Sequence, residues 1–184
     1  MATAATDSSI DIAYWFFSRA EDDGIYLETE KLQHLLFLSQ IHYALSYNME
    51  LLMPSLFLCD KTGFFEPNLN RMFAQGRPFM PRVKFPSKIN LFLEGVWQKY
   101  GSFTERKLSD LIRKNPAYAE NYTPGASNIV SLKNIVDHFA AAKKQNANDA
   151  ASDKRKKILL SQNGPVVVTK WQPRKVETIN SKGE

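Results

Sequence analysis

Apolar residues recur at helical spacing along most of the first 140 positions, and the interruptions between the runs are polar, glycine-containing or proline-containing. Ile10, Ala13, Tyr14 and Phe17 fall at i, i+3, i+4 and i+7, which predicts a helix capped by Ser8 or Ser9 and stopped by Glu21-Asp22-Asp23-Gly24. A second helix is predicted from about Thr29 to Tyr47. Its apolar residues Leu32, Leu35, Leu36, Phe37, Leu38, Ile41, Tyr43, Ala44 and Leu45 surround the axis instead of lining one stripe, so this helix belongs in the middle of a bundle.

Pro54 argues against helix in Leu51–Cys59 and leaves at most a short strand near Leu56–Cys59, followed by a turn at Asp60-Lys61-Thr62-Gly63. Pro67 suits the first turn of a helix bearing Leu69, Met72 and Phe73. Ser87 is placed to cap a helix with Ile89, Phe92, Leu93, Val96, Trp97 and Tyr100 on one face and Gly101 past its end. Ser102-Phe-Thr-Glu105 has the form of a capping box that opens a helix through Leu108, Leu111 and Ile112. Pro116 begins a short helical turn, and a last helix carries Leu132, Ile135, Val136 and Phe139. From Ala140 the composition turns to Ala, Lys, Asn, Gln and Asp, which predicts a solvated linker. Beyond it, Ile158-Leu159-Leu160 and Val166-Val167-Val168 flank Asn163-Gly164, a hairpin signal weakened only by Pro165.

The fold expected is mainly α: a compact bundle of about six helices, with a short strand near 56–59 and a C-terminal β-hairpin. It divides into a helical domain over 9–142, a basic flexible linker over 143–156, and a hairpin and tail over 157–184. The core should contain Leu35, Leu36, Leu38, Ile41, Phe92 and Trp97.

Charge sharpens that division. The net charge is +5, but residues 1–142 hold 14 basic and 15 acidic side chains, whereas residues 143–184 hold 10 and 4. The basic character therefore belongs to the tail, where Lys154-Arg155-Lys156-Lys157 is a short block of the kind that contacts phosphates. Cys59 is the single cysteine, which excludes an intramolecular disulfide and a cysteine-based zinc site within one chain and points to a reducing, cytoplasmic compartment. The longest unbroken apolar run, Ile12–Phe17, is far short of the roughly 20 residues of a membrane span. No signal peptide and no membrane association are expected.

The candidate chemistry is thin. His34 and His42 lie eight positions apart, about 12 Å by helical rise, too far to share a metal. His138 stands alone near the expected end of the last helix, where the helix dipole suits it. Cys59 sits in an apolar run and reads as a buried small hydrophobe. Glu21-Asp22-Asp23 lacks the alternating ligand spacing of a calcium loop and reads as a solvated helix end. Without a phosphate loop, a nucleophile elbow or a zincin motif, no enzyme activity, metal or cofactor is expected. A helix must point the consecutive Tyr14, Trp15, Phe16 and Phe17 in nearly every direction. An exposed member would mark a partner surface, although such aromatics usually belong to a core.

The segment Glu30-Lys31-Leu32-Gln33-His34-Leu35-Leu36-Phe37, followed by Gln40, His42 and Tyr43, resembles the Lys-Leu-Gln segment of the Panacea domain of SocA-like antitoxins. Leu51-Leu52-Met53-Pro54, Thr62–Leu69 and Val96–Gly101 with Thr104, Leu108 and Ser109 follow in the family's order, so the likeness covers about residues 9–142. One departure is that Gly63-Phe64-Phe65 stands where the family has Gly-Pro-Val. The resemblance implies a helical antitoxin that neutralises a protein toxin by direct binding, with a proteolytic-adaptor role toward a ClpXP-type AAA+ protease in at least one branch. Two large aromatics after a turn glycine, together with the altered pattern, place the expected partner surface at Gly63, Phe64, Phe65, Glu66 and Arg71, with Lys31, Leu32 and Gln33 as the family motif. The alternative function is nucleic-acid binding or operon autoregulation through the basic tail.

Overall fold

The computed structural model describes residues 4–74, 76, 78–79, 82–153, 156–161 and 164–169. Seven helices and five short strands are found among them: α1 (Ser9–Asp22), α2 (Thr29–Ser46), β1 (Leu58–Cys59), β2 (Phe64–Phe65), α3 (Pro67–Phe73), α4 (Ser87–Tyr100), α5 (Glu105–Arg113), α6 (Pro116–Asn121), β3 (Asn128–Ile129), α7 (Leu132–Asp153), β4 (Lys156–Ser161) and β5 (Gly164–Thr169). The fold is mainly α. The chain divides into two compact units, Met1–Ala142 and Lys143–Glu184.

The first unit is organised by α2. Every residue from 31 to 41 is buried, because α1, α3, α4, α5 and β2 all pack around this helix. Leu32, Leu35, Leu36, Phe37, Leu38 and Ile41 are wholly enclosed, as an all-round apolar helix requires. Leu93 and Trp97 join them from α4, whereas Phe92 is only half-buried, with its ring at the edge of Tyr43. The consecutive aromatics of α1 are absorbed almost entirely by this core. Tyr14, Phe16 and Phe17 are buried, and Trp15 is half-buried with its Nε1 donating to Asn90 Oδ1 at 3.1 Å. None of the four forms the exposed patch that the sequence left open.

The helix ends follow local chemistry, with two corrections. Ser8 caps α1 by accepting from the N–H of Ile10. At the other end Gly24, at φ +67°, donates to Glu21 O while Ile25 donates to Ala20 O. These two bonds make a Schellman stop, which needs a left-handed residue where glycine is unstrained. Helix α4 is preceded by Pro86 with no side-chain cap, so Ser87 is the first helical residue and not the cap. The Ser102–Glu105 capping box is also not formed. Phe103 N–H folds back to Tyr100 O, Thr104 becomes the cap of Lys107, and Glu105 is freed to reach His34.

The expected short strand is β1, and it gains two neighbours that the sequence did not announce. The order is β2-β1-β3, all antiparallel, with Leu58 opposite both Phe65 and Ile129, and Cys59 opposite Phe64 and Asn128. Directly opposed residues share a face. Cys59 and Phe64 therefore look into the core, while Phe65, Leu58 and Ile129 form an outward row.

Two expectations for the C-terminal region change. Positions 143–153, where the sequence predicts a linker, continue helix α7, in which Lys143, Lys144, Gln145, Ala147, Ala150 and Ala151 are good helix formers. In the hairpin Ser161 pairs with Gly164, so Gly164 belongs to β5 and not to the turn; Gln162 and Asn163 lie outside the described residues. Pro165 sits opposite Leu160 and widens nothing. In an antiparallel ladder closed by the Ser161–Gly164 pair, the next pair turns its N–H groups outward, so proline removes no ladder donor there. Lys154, Arg155 and Trp171 lie outside the described residues. Lys156 and Lys157 open β4, opposite Thr169 and Val168.

Candidate partner-binding site

The polar residues of α2 act as ties to the loops around it. Lys31 is 8% exposed and places Nζ 2.6 Å from Gly101 O at the C-terminal end of α4, and 5.9 Å over the Trp97 ring. A cation suits that end of a helix. Burial nevertheless pushes the Lys31 ammonium below its ordinary value, with Glu28 opposing. The Gln33 amide accepts from Glu66 N–H at 2.8 Å and donates to Glu66 C=O at 3.2 Å, clamping the join between β2 and α3. Gln40 accepts from Met53 N–H, pinning the loop that the N-terminal residues Ala5 and Thr6 also bind. His42 Nε2 lies 2.7 Å from Tyr100 Oη, with the two rings stacked. Of the sequence motif, Lys31 and Gln33 thus hold loops, and Leu32 fills the core.

The turn chosen as a partner surface is built largely inward. Asp60 Oδ1 accepts from Thr62 N–H, Thr62 Oγ1 and Gly63 N–H. Gly63 is at φ +143°, and a Cβ there would stand 3.2 Å from His34 Cε1. Phe64 is wholly buried, stacked on Phe37 at 4.5 Å and edge-on to Tyr118. Glu66 is 2% exposed, and its carboxylate caps α3 by accepting from Leu69 N–H at 2.6 Å. Gly63, Phe64 and Glu66 therefore cannot meet a partner; the apolar character of Phe64 serves the core. Phe65 remains half-buried in the outward row, and Arg71 is exposed on α3.

Among the described residues the histidines and the cysteine lie apart from one another, each with its own surroundings. His34 is 2% exposed, with Nε2 3.3 Å from Glu105 Oε1 and Nδ1 enclosed without a partner. Burial pushes its imidazole below the ordinary value, against the pull of the Glu105 carboxylate. His138 contacts Glu120 at 2.9 Å in the middle of α7 and not at a helix end, since that helix continues past it. Burial pushes the Cys59 thiol up to about 11, the behaviour of a core residue. Asp22 and Asp23 are engaged by Arg82 and Arg19, and Asp23 also accepts from Trp97 Nε1 at 2.8 Å, so this helix end is tied down instead of simply solvated. Among the described residues no group of three His, Cys, Asp or Glu side chains could hold a metal, and no helix is long and apolar enough to cross a membrane.

What the surface does offer is a groove of about 520 Å³ between the end of α1, the α1–α2 loop and α3. Phe17, Leu27 and Phe73 form its apolar base, and Glu21, Gly24, Ile25, Tyr26, Thr29 and Gly76 its rim. Tyr26 is 88% exposed and Ile25 is partly so, both held out by the Schellman turn. Phe79 is 95% exposed on the neighbouring segment, which is anchored where Tyr14 donates to Pro78 O, and the Tyr14 ring in turn touches Phe17 and Phe73. A second groove of about 390 Å³ runs beside Trp15 and Leu91, but its charges pair with one another through Arg19–Glu94 and Arg82–Asp22. Composition could not have found the first groove, since Tyr26 and Phe79 are isolated aromatics in polar stretches. The usable signal was Gly24 as a helix stop followed directly by two large apolar residues.

No protein-family model matches this sequence, and neither the curated proteins nor the solved structures give a match.

Proposed function

We propose that this chain is a protein-binding module of antitoxin type, which neutralises a partner toxin by direct association in the cytoplasm, either by itself or as an adaptor that delivers the toxin to an AAA+ protease of the ClpXP kind. The observation that carries the reading is Tyr26, a large aromatic left 88% exposed on the rim of an apolar-based groove, with Phe79 also 95% exposed. Exposed aromatic rings are the usual anchors of protein interfaces, and one set on the rim of a groove is placed to serve as such an anchor. The ordered likeness of Lys31-Leu32-Gln33 and its companion segments to the Panacea domain supplies the antitoxin class. The test is co-expression with the small protein encoded by the neighbouring reading frame. Growth arrest by that protein alone, relieved by the wild-type chain, supports the reading; toxicity unrelieved, or no toxic neighbour, removes it.

The charge of the C-terminal region favours a second reading, nucleic-acid binding, since residues 143–184 carry 10 basic and 4 acidic side chains. Its test is duplex DNA affinity of the full chain against one with Lys154, Arg155, Lys156 and Lys157 changed to Gln. Phosphate contacts predict affinity that falls steeply with salt and drops in the variant.

A further inference from the structure

The groove beside α1 joins an apolar base to a negatively charged rim, and we infer that it takes a segment of the partner in which a large apolar side chain is flanked by lysine or arginine. This rests on reading the Tyr26 face as the protein-binding surface, and it specifies the chemistry of what docks there.

Residues 20–30 contain five carboxylates, Glu21, Asp22, Asp23, Glu28 and Glu30, and no basic side chain. Asp22 and Asp23 are committed to Arg82 and Arg19. The carboxylates of Glu21, Glu28 and Glu30 form no hydrogen bond or ion pair among the described residues. Glu21 lines the groove itself, and Glu28 and Glu30 flank the rim residue Thr29. Arg71 stands two positions from the groove residue Phe73, which turns it toward the other side of α3. Arg77 lies outside the described residues.

Carboxylates that form no ion pair project a field over a Debye length of about 10 Å, drawing in cationic segments and rejecting acidic ones. The base suits an aliphatic or aromatic anchor, because Phe17, Leu27 and Phe73 present carbon surface, and about 520 Å³ is within the range of pockets that enclose a ligand. Tyr26 on the lip can then close over the anchor and stack on a flanking arginine. The second groove lacks this combination, because its charges are paired internally.

The test selects peptides from a random phage-displayed library on the full-length chain, then measures the enriched peptides on Tyr26→Ala, Glu21→Lys and Glu28→Lys variants whose circular dichroism matches the wild type. The expected peptides carry Leu, Met or Phe with Lys or Arg within a few positions. Their affinity should fall at least about tenfold in each variant and weaken with salt, and Glu-flanked versions should recover binding on Glu21→Lys. Enrichment of acidic or neutral peptides, no enrichment, binders indifferent to all three changes, or self-association through this face would each overturn the inference. Toxin neutralisation that survives Tyr26→Ala and Glu21→Lys would leave the antitoxin reading standing while removing the groove from it.

Discussion

The side-chain amide of Gln33 pairs with both backbone groups of Glu66, accepting at 2.8 Å and donating at 3.2 Å, so that a glutamine in the central helix completes a strand-like ladder for the residue that opens α3. Both partners are buried. Gln33→Leu leaves the Glu66 N–H enclosed and unpaired, at a cost of about 1–3 kcal/mol, while the Glu66 carbonyl keeps the bond it accepts from Asn70 N–H at 3.1 Å. Urea denaturation should show a loss of about 1–3 kcal/mol, larger than for truncating an exposed glutamine.

Gly63→Ala should destabilise for two separate reasons. Its φ of +143° is one that a side chain rarely adopts, and the added Cβ would press on the His34 ring at 3.2 Å. Strained backbone of this kind costs on the order of 1–3 kcal/mol. A melting temperature within a degree of wild type would show that the turn relaxes freely.

His34 makes stability depend on pH. Its imidazole titrates lower in the folded chain than its ordinary 6.5, because burial disfavours the charged form. The unfolded chain then binds the proton more tightly, and stability rises with pH. The contribution is complete above the ordinary value and is lost as pH falls below it toward the folded value. Urea midpoints should therefore drop between about pH 7.5 and 5.5, and His34→Gln should flatten part of that drop.

Phe64 and Tyr26 should separate stability from binding. Phe64→Ala empties a site enclosed by Phe37 and Tyr118 and should cost about 3–5 kcal/mol. Tyr26→Ala removes a ring that is 88% exposed and should leave the thermal midpoint nearly unchanged while weakening toxin binding. Paired melting and titration curves on the two variants check this directly.

The contrast also shows which features were legible in the sequence. Periodicity identified α2 as central because Leu32 through Ile41 carry apolar residues on every side, a pattern that only a surrounded helix tolerates. It also located the stop at Gly24 and the turn at Gly63, where backbone demands reach the residue type directly. It did not reveal on which side of the chain Phe64 lies, since that depends on the register of a two-residue strand against β1 and on Phe37 from another element. The roles of Lys31, Gln33 and Gln40 were hidden for the same reason: their partners are backbone atoms 70, 33 and 13 positions away. The end of α7 was hidden because its polar composition suits a linker as well as a helix, and the hairpin register was hidden because Ser161 and not Gln162 closes the ladder.

The most direct measurement is an amide hydrogen-exchange footprint of the full chain, alone and with the proposed toxin, the protein encoded by the neighbouring reading frame. If that toxin docks on the groove, protection should concentrate at residues 23–29 and at the end of α3, while Gly63–Glu66, already enclosed in the free protein, changes little. Protection confined to other faces of the helical unit, with residues 23–29 exchanging as fast in the complex as alone, would contradict the assignment of this groove as the partner-binding site.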